Sequence, residues 1–163
     1  MSRPSPADAR SQLVEVIGES VYHALGLKES LEEERKALET QDMEALTAAV
    51  ESKGVCVAEL QGLDSKRVAL CEAWGFGDSP EQMQELINWC DDSDLIANRW
   101  EHLMILAAEG SALNMTNGAI IRLRQQQFES SLSVLRGVKP RPNTYGRNGE
   151  TSGDYGRSSL AQA

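Results

Sequence analysis

The chain has 163 residues, 40% of them apolar, and a net charge of −9 from 16 Lys plus Arg against 25 Asp plus Glu. That is one domain's worth of chain, and a core drawn mainly from Leu, Ala, Val and Ile suits packed helices better than a sheet sandwich. The acidic balance argues against affinity for nucleic acid or for an anionic membrane surface, and Cys56, Cys71 and Cys90, odd in number and widely spaced, signal neither a disulfide framework nor a zinc site.

From Pro6 to Thr40, Leu13, Ile17, Ala24, Leu27, Leu31 and Leu38 recur at steps of three and four, with slots missed at Ser20 and Glu34. The spacing predicts a long amphipathic helix, and a second stripe of Val14, Val21 and Leu25 predicts that it touches two neighbours. After "ETQD", where Thr40 or Asp42 is placed to cap, a second helix is expected from about Met43 to Trp74. Its face reads Leu46, Val50, Val57, Leu60, Cys71 and Trp74, flanked by Cys56, Leu63 and Leu70 and interrupted by Lys53, Asp64 and Arg67. "GFGDSPEQ" ends that helix and opens a short one, with Ser79 capping, Pro80 at the first helical position and Gln82 set for a capping box. The short helix offers Met83, Leu86, Ile87 and Cys90 as a lid.

Ser93 or Asp94 is placed to cap the last helix, whose stripe runs Ile96, Trp100, Leu103, Ala107, Gly110, Asn114, Asn117, Ile121, Arg124, Phe128, Leu132 and Leu135. Asn117-Gly118 would suit the tip of a hairpin. The residues on either side keep the helical period and favour helix, so a continuous rod over 94–136 is expected, softened at Gly110 and Gly118. Gly137, Pro140 and Pro142 stop it. Residues 138–163 are rich in Gly, Ser, Asn and Arg, basic where the rest of the chain is acidic, and too poor in aliphatic residues to order themselves. The fold expected is therefore all-α: an antiparallel bundle of three long helices and one short one over residues 1–137, followed by a flexible tail over 138–163.

Few residue patterns in the chain carry chemistry. His23 and His102 have no second ligand at metal spacing, and "CDDSD" fails as a calcium loop because Ala97 and Leu103 occupy the positions that need Gly and Glu. Glu32 to Glu34 read as a solvated face, and Gly75-Phe76-Gly77 is too short to cradle a phosphate. No catalytic residue, metal site or cofactor is assigned, and the protein is not expected to be an enzyme. No apolar run approaches the ~20 residues of a membrane span, and residues 1–12 lack a signal peptide's apolar stretch, so a cytoplasmic protein without membrane insertion is expected.

What remains is interaction surface. The first two helices are each ~50 Å long and the last ~64 Å, so the last should outrun its partners. Its end carries Phe128, Leu132, Val134 and Leu135 among Arg122, Arg124 and Arg136. Either these residues complete the bundle or, as an uncovered apolar stripe, they take a partner's helix, with Ile121, Arg124, Phe128, Leu132 and Leu135 as the contacts. In the tail, Tyr145 followed by Gly146 is suited to anchor a segment on a partner, since its ring brings much contact area at little side-chain entropy.

"LEEERKALETQDMEALTAAVESKGVCVAELQGLDSKRVAL" early, "NGAIIRLRQQQFESSLSVLRG" late and "TYGRNGE" after the prolines resemble the FlgN family of flagellar export chaperones over roughly Leu13 to Glu150. The residues that carry the resemblance are Leu31, Glu32, Glu34, Asp42, Leu46, Lys53, Arg67 and Gly75, then Asn117, Gly118, Leu135, Gly137, Tyr145 and Gly146. Trp74, Trp89 and the second Tyr-Gly at Tyr155-Gly156 have no counterpart in that pattern. The resemblance implies a non-enzymatic cytosolic chaperone that binds the hook-associated proteins of the hook-filament junction. It would keep them from premature association and deliver them to the flagellar type III export apparatus. It further implies that the substrate's terminal helix docks on the C-terminal region, and that Tyr145 and Gly146 engage the export apparatus. The competing expectation is a passive helical adaptor or a self-associating coiled-coil rod.

Overall fold

The computed structural model describes residues 4–137. Among them are four helices and no strand: α1 (Pro6–Thr40), α2 (Met43–Ala73), α3 (Pro80–Cys90) and α4 (Leu95–Leu135). The tail over 138–163, with Tyr145 and Gly146, lies outside the described residues. The chain divides into two compact units, Met1–Arg124 and Gln125–Ala163.

In the first unit α1 supplies more of the core than any other helix, burying Ala9, Leu13, Val16, Ile17, Ala24, Leu31, Ala37 and Leu38. Its two skipped slots are buried as well. Ser20 returns its hydroxyl hydrogen to the Val16 carbonyl at 2.7 Å, so the helix itself satisfies the group. At the end of α1, Gln41 turns into the left-handed region at φ 60, and Asp42 caps α2 by accepting from the Ala45 amide. The tight turn lays α2 antiparallel along α1, as the pairs Ser30 with Ser52 and Glu15 with Lys66 show. Parallel to α1, α4 is fixed by Arg99 donating to the Val14 carbonyl and by Lys28 paired with Glu109.

One expectation for α2 is shifted. Val50 and Val57 stay exposed, and the inward stripe instead runs Leu46, Ala49, Lys53, Cys56, Leu60, Leu63, Arg67 and Cys71. Every step is three or four, but the run passes through two cations. Helix α3 is the lid: Met83, Leu86, Ile87 and Cys90 close the base against Ala9, Leu13, Ile17, Cys71, Trp74 and Ile96. Ser79 caps it, as its sequence requires, by accepting from the Gln82 amide.

The side-chain cap of α4 is not Ser93 or Asp94 but Asp91, whose Oδ2 accepts from the amides of Ile96 and Ala97 at 2.8 and 3.0 Å. Asp94 adopts φ 56, which turns the chain so that Asp91 can reach forward. Burial pushes the Asp91 carboxyl pKa up. The amide donors of Ala97, Ser93 and Ile96, with Arg10 nearby, outweigh that and hold it below the usual aspartate value.

Helix α4 runs unbroken through Asn117-Gly118. Gly110 is buried, yet a Cβ there would lie 3.8 Å from Leu31 Cδ1, an ordinary van der Waals contact, and one at Gly118 would meet only the flexible end of Arg122 at 3.4 Å. Neither position requires glycine, so a Gly110→Ala, Gly118→Ala double variant should gain about 1–2 kcal/mol. Thermal unfolding followed by circular dichroism checks this; an unchanged or lowered midpoint would show that close helix packing needs these positions free of a methyl group.

Candidate functional site

Within the first unit the three long helices meet at a buried polar cluster. Glu34 of α1, only 2% exposed, receives a hydrogen bond from Lys53 Nζ of α2 at 2.6 Å and from Asn117 Nδ2 of α4 at 2.8 Å. Asn117, 1% exposed, also donates to the Leu31 carbonyl at 2.9 Å. A carboxylate withdrawn from water this far is tolerated only when paired and hydrogen-bonded. The expectation of a solvated face at Glu32 to Glu34 therefore holds for Glu32 and Glu33, which are exposed, and fails for Glu34. The third residue faces inward because α1 needs an inward position between Leu31 and Leu38, and Lys53 is there to meet it.

A second mixed cluster lies further down the seam. Arg67 donates to Asp64 through both Nε and a terminal nitrogen, and its guanidinium stacks 5.3 Å above the Trp100 ring. Burial raises the Cys71 thiol above its ordinary pKa, with neighbouring Arg67 opposing, so this thiol stays protonated at neutral pH. A cavity of about 330 Å³ opens here between α1, α2 and α4, walled by Ile17, Ala24, Leu27, Leu60 and Leu103 with Arg67 and Trp100.

The residues assigned to substrate contact fall in both units. In the first, Ile121 is exposed and borders the space around Glu34, Lys53 and Asn117, and Arg124 is half-buried. The second unit, described through residue 137, carries Phe128 at 66% and Leu135 at 82% exposure, with Val134 also exposed and Leu132 half-buried. Val134 and Leu135 border a shallow apolar depression with Ser130 and Ser131. Tyr145 and Gly146 lie outside the described residues. No trio of His, Cys, Asp or Glu is placed to hold a metal, and no helix is long and apolar enough to cross a membrane, both among the described residues.

Periodicity placed Asn117 on the inner stripe of α4 but missed its partners Glu34 and Lys53, and Arg67 with them, because a charge on an apolar stripe reads as an interruption. Their common three-four phase with the core was the available signal.

The described chain is thus a protein of long helices that keeps several large apolar side chains in solvent. A family model described as FlgN protein matches residues 9–153, and the chain belongs to that family of flagellar export chaperones. This is a chaperone family rather than an enzyme family. No curated protein and no solved structure matched the chain.

The polar cluster makes a coupled prediction. Lys53→Met leaves a buried carboxylate short of its cation and should cost about 2–3 kcal/mol, whereas Glu34→Met with Lys53→Met should fall within about 1 kcal/mol of the parent. Urea unfolding measures both. Simple additivity of the single changes would mean that the pair is not coupled.

Proposed function

We propose that this chain is a cytoplasmic chaperone for the hook-associated proteins of the hook-filament junction, shielding them from premature association and delivering them to the flagellar type III export apparatus. Membership of the FlgN family supports the export-chaperone role. The observation that carries the finer reading is the exposure of Phe128, Val134 and Leu135 on a helix of a strongly acidic protein. An amphipathic helix from the substrate docks on Phe128, Leu132 and Leu135 through its apolar face, with Ile121 and Arg124 as further contacts. Arg124 and Arg136 then select acidic flanks on that helix. The bundle extends over residues 1–137, and the segment 138–163 serves export, with Tyr145 and Gly146 engaging the apparatus while substrate stays bound.

Burying three such side chains contributes roughly 5 kcal/mol before ordering costs. Co-expression of the full chain with a hook-filament junction protein should yield a defined complex, and Phe128→Asp with Leu132→Asp should abolish it while leaving the helical signal and melting of the free chaperone intact. Loss of folding instead would place these side chains in the chaperone's own core, and no complex with the parent chain would sink the substrate assignment.

Tyr145→Ala should leave that complex nearly unchanged and weaken docking to the export apparatus, read as reduced pull-down of its soluble components and slower secretion. Equal loss of both interactions would assign Tyr145 to the substrate site, and loss of neither would remove it from function.

A further inference from the structure

Irregularities in the apolar stripes of the three long helices converge on one place in the first unit. On α1 they are Ser20 and Ala24, on α2 Asp64 and Arg67, and on α4 the small residues Ala107, Gly110 and Ser111. The cavity of about 330 Å³ opens where they meet, with Ile17, Leu27, Leu60, Leu103 and Leu106 completing its walls. Small-molecule sites occupy roughly 300–1,000 Å³, and a void with aliphatic walls takes apolar molecules in preference to water. Every wall belongs to the first unit, and none is among the residues assigned to substrate.

Arg67 gives this apolar lining a hydrogen-bond donor. Its side chain is only 12% exposed, and it uses Nε and one terminal nitrogen on the same oxygen, Oδ1 of Asp64, at 3.0 and 2.8 Å. The other terminal nitrogen, Nη1, is buried without a hydrogen-bond partner, since the neighbouring Cys71 thiol is too weak an acceptor to satisfy it. A buried donor left unmet costs stability that an acceptor returns. We propose that the cavity binds a neutral, mainly apolar molecule carrying one carbonyl group, an amide or a ketone, whose body lies against Leu27, Leu60 and Leu103 and whose oxygen accepts from the Arg67 guanidinium. Neutrality follows from Asp64. Its carboxylate already compensates the guanidinium and lines the same cavity, so an anionic head would set a second carboxylate beside it in a chain of net charge −9. Met104, unbranched and 44% exposed, also borders the cavity and can adjust to the shape of what enters.

Titration of the full chain with 4-phenylbutanamide gives the test, followed by NMR at the Trp100 indole N–H, the resonance that Trp100→Phe removes. The amide should bind with a Kd of about 0.1 mM, and 4-phenylbutanoate about fivefold more weakly. Arg67→Met keeps the length of the side chain without its donors and should weaken the amide about tenfold. Asp64→Asn removes the negative charge and should invert the preference, so that the carboxylate binds more tightly than the amide. Leu103→Trp fills the space and should abolish binding of both. Circular dichroism confirms that each variant is folded; where Leu103→Trp disturbs the bundle, the variants at Asp64 and Arg67 decide alone. An unmoved Trp100 resonance at about 5 mM amide overturns the proposal. So does amide binding that Arg67→Met leaves unchanged, a preference of the parent chain for the carboxylate, or a preference for the amide that survives Asp64→Asn.

Discussion

The hydrogen-bonded contact of Glu34 with Lys53 and Asn117 constrains everything else in the first unit. Leu and Ala stripes pack nearly as well after a slide of one helical turn, about 5.4 Å, because one aliphatic side chain replaces another. A buried carboxylate does not tolerate the slide. Only one register of α1, α2 and α4 gives Glu34 both an ammonium and an amide donor, and a slip along any of the three helices strands a charge in a low-dielectric interior. The cluster draws one residue from each long helix, so it sets two helix pairings at once. Asn117 extends the constraint to the α1 backbone through the Leu31 carbonyl.

The rest follows from that register. With α1 carrying a buried face along its whole length, α2 and α4 each need only one narrow face against it, and both are left with much of their surface in solvent. The base is different, because the lid helix α3 closes it into an ordinary apolar core around Trp74 and Ile96. The polar register lock therefore works away from the main apolar cluster, which lies at the base around the lid helix. Such an arrangement leaves a long helix free to display side chains without putting the fold at risk, since exposed Phe128, Leu135, Ile105 and Met115 contribute nothing to the first unit's core. A protein whose task is to hold other chains needs that separation. The net charge of −9 opposes indiscriminate sticking of the apolar surface left outside.

The residues on which the FlgN resemblance rests gain a physical meaning here. Glu34, Lys53 and Asn117 form the lock, Arg67 holds the seam against Trp100, and Asp42 caps α2. These are structural duties. Of the residues proposed to touch partners, Leu135, Tyr145 and Gly146 are also among those that carry the resemblance, and Ile121, Arg124, Phe128 and Leu132 lie in the same late stretch of the chain.

Helix type, length and order were determined by the sequence alone, because three-four periodicity, Ser79-Pro80 and Asp42 are local signals that act through the backbone of their own segment. Local reasoning also carried α4 through Asn117-Gly118, where helix-favouring neighbours on both sides outweigh one turn-forming pair. Exposure of Phe128 and Leu135 was legible too, since it followed from comparing helix lengths. Only the tertiary structure decided which polar residues face inward. Whether Glu34 is solvated or buried depends on a lysine nineteen residues away and an asparagine in the last helix, and no window along the chain contains all three. The same holds for the phase of α2, where Ala49 and not Val50 is the residue that faces inward. It holds again for Asp91, whose reach to the start of α4 depends on the backbone turn at Asp94. Periodicity states that a helix has an inner face; the partners that can satisfy a charge determine which face that is.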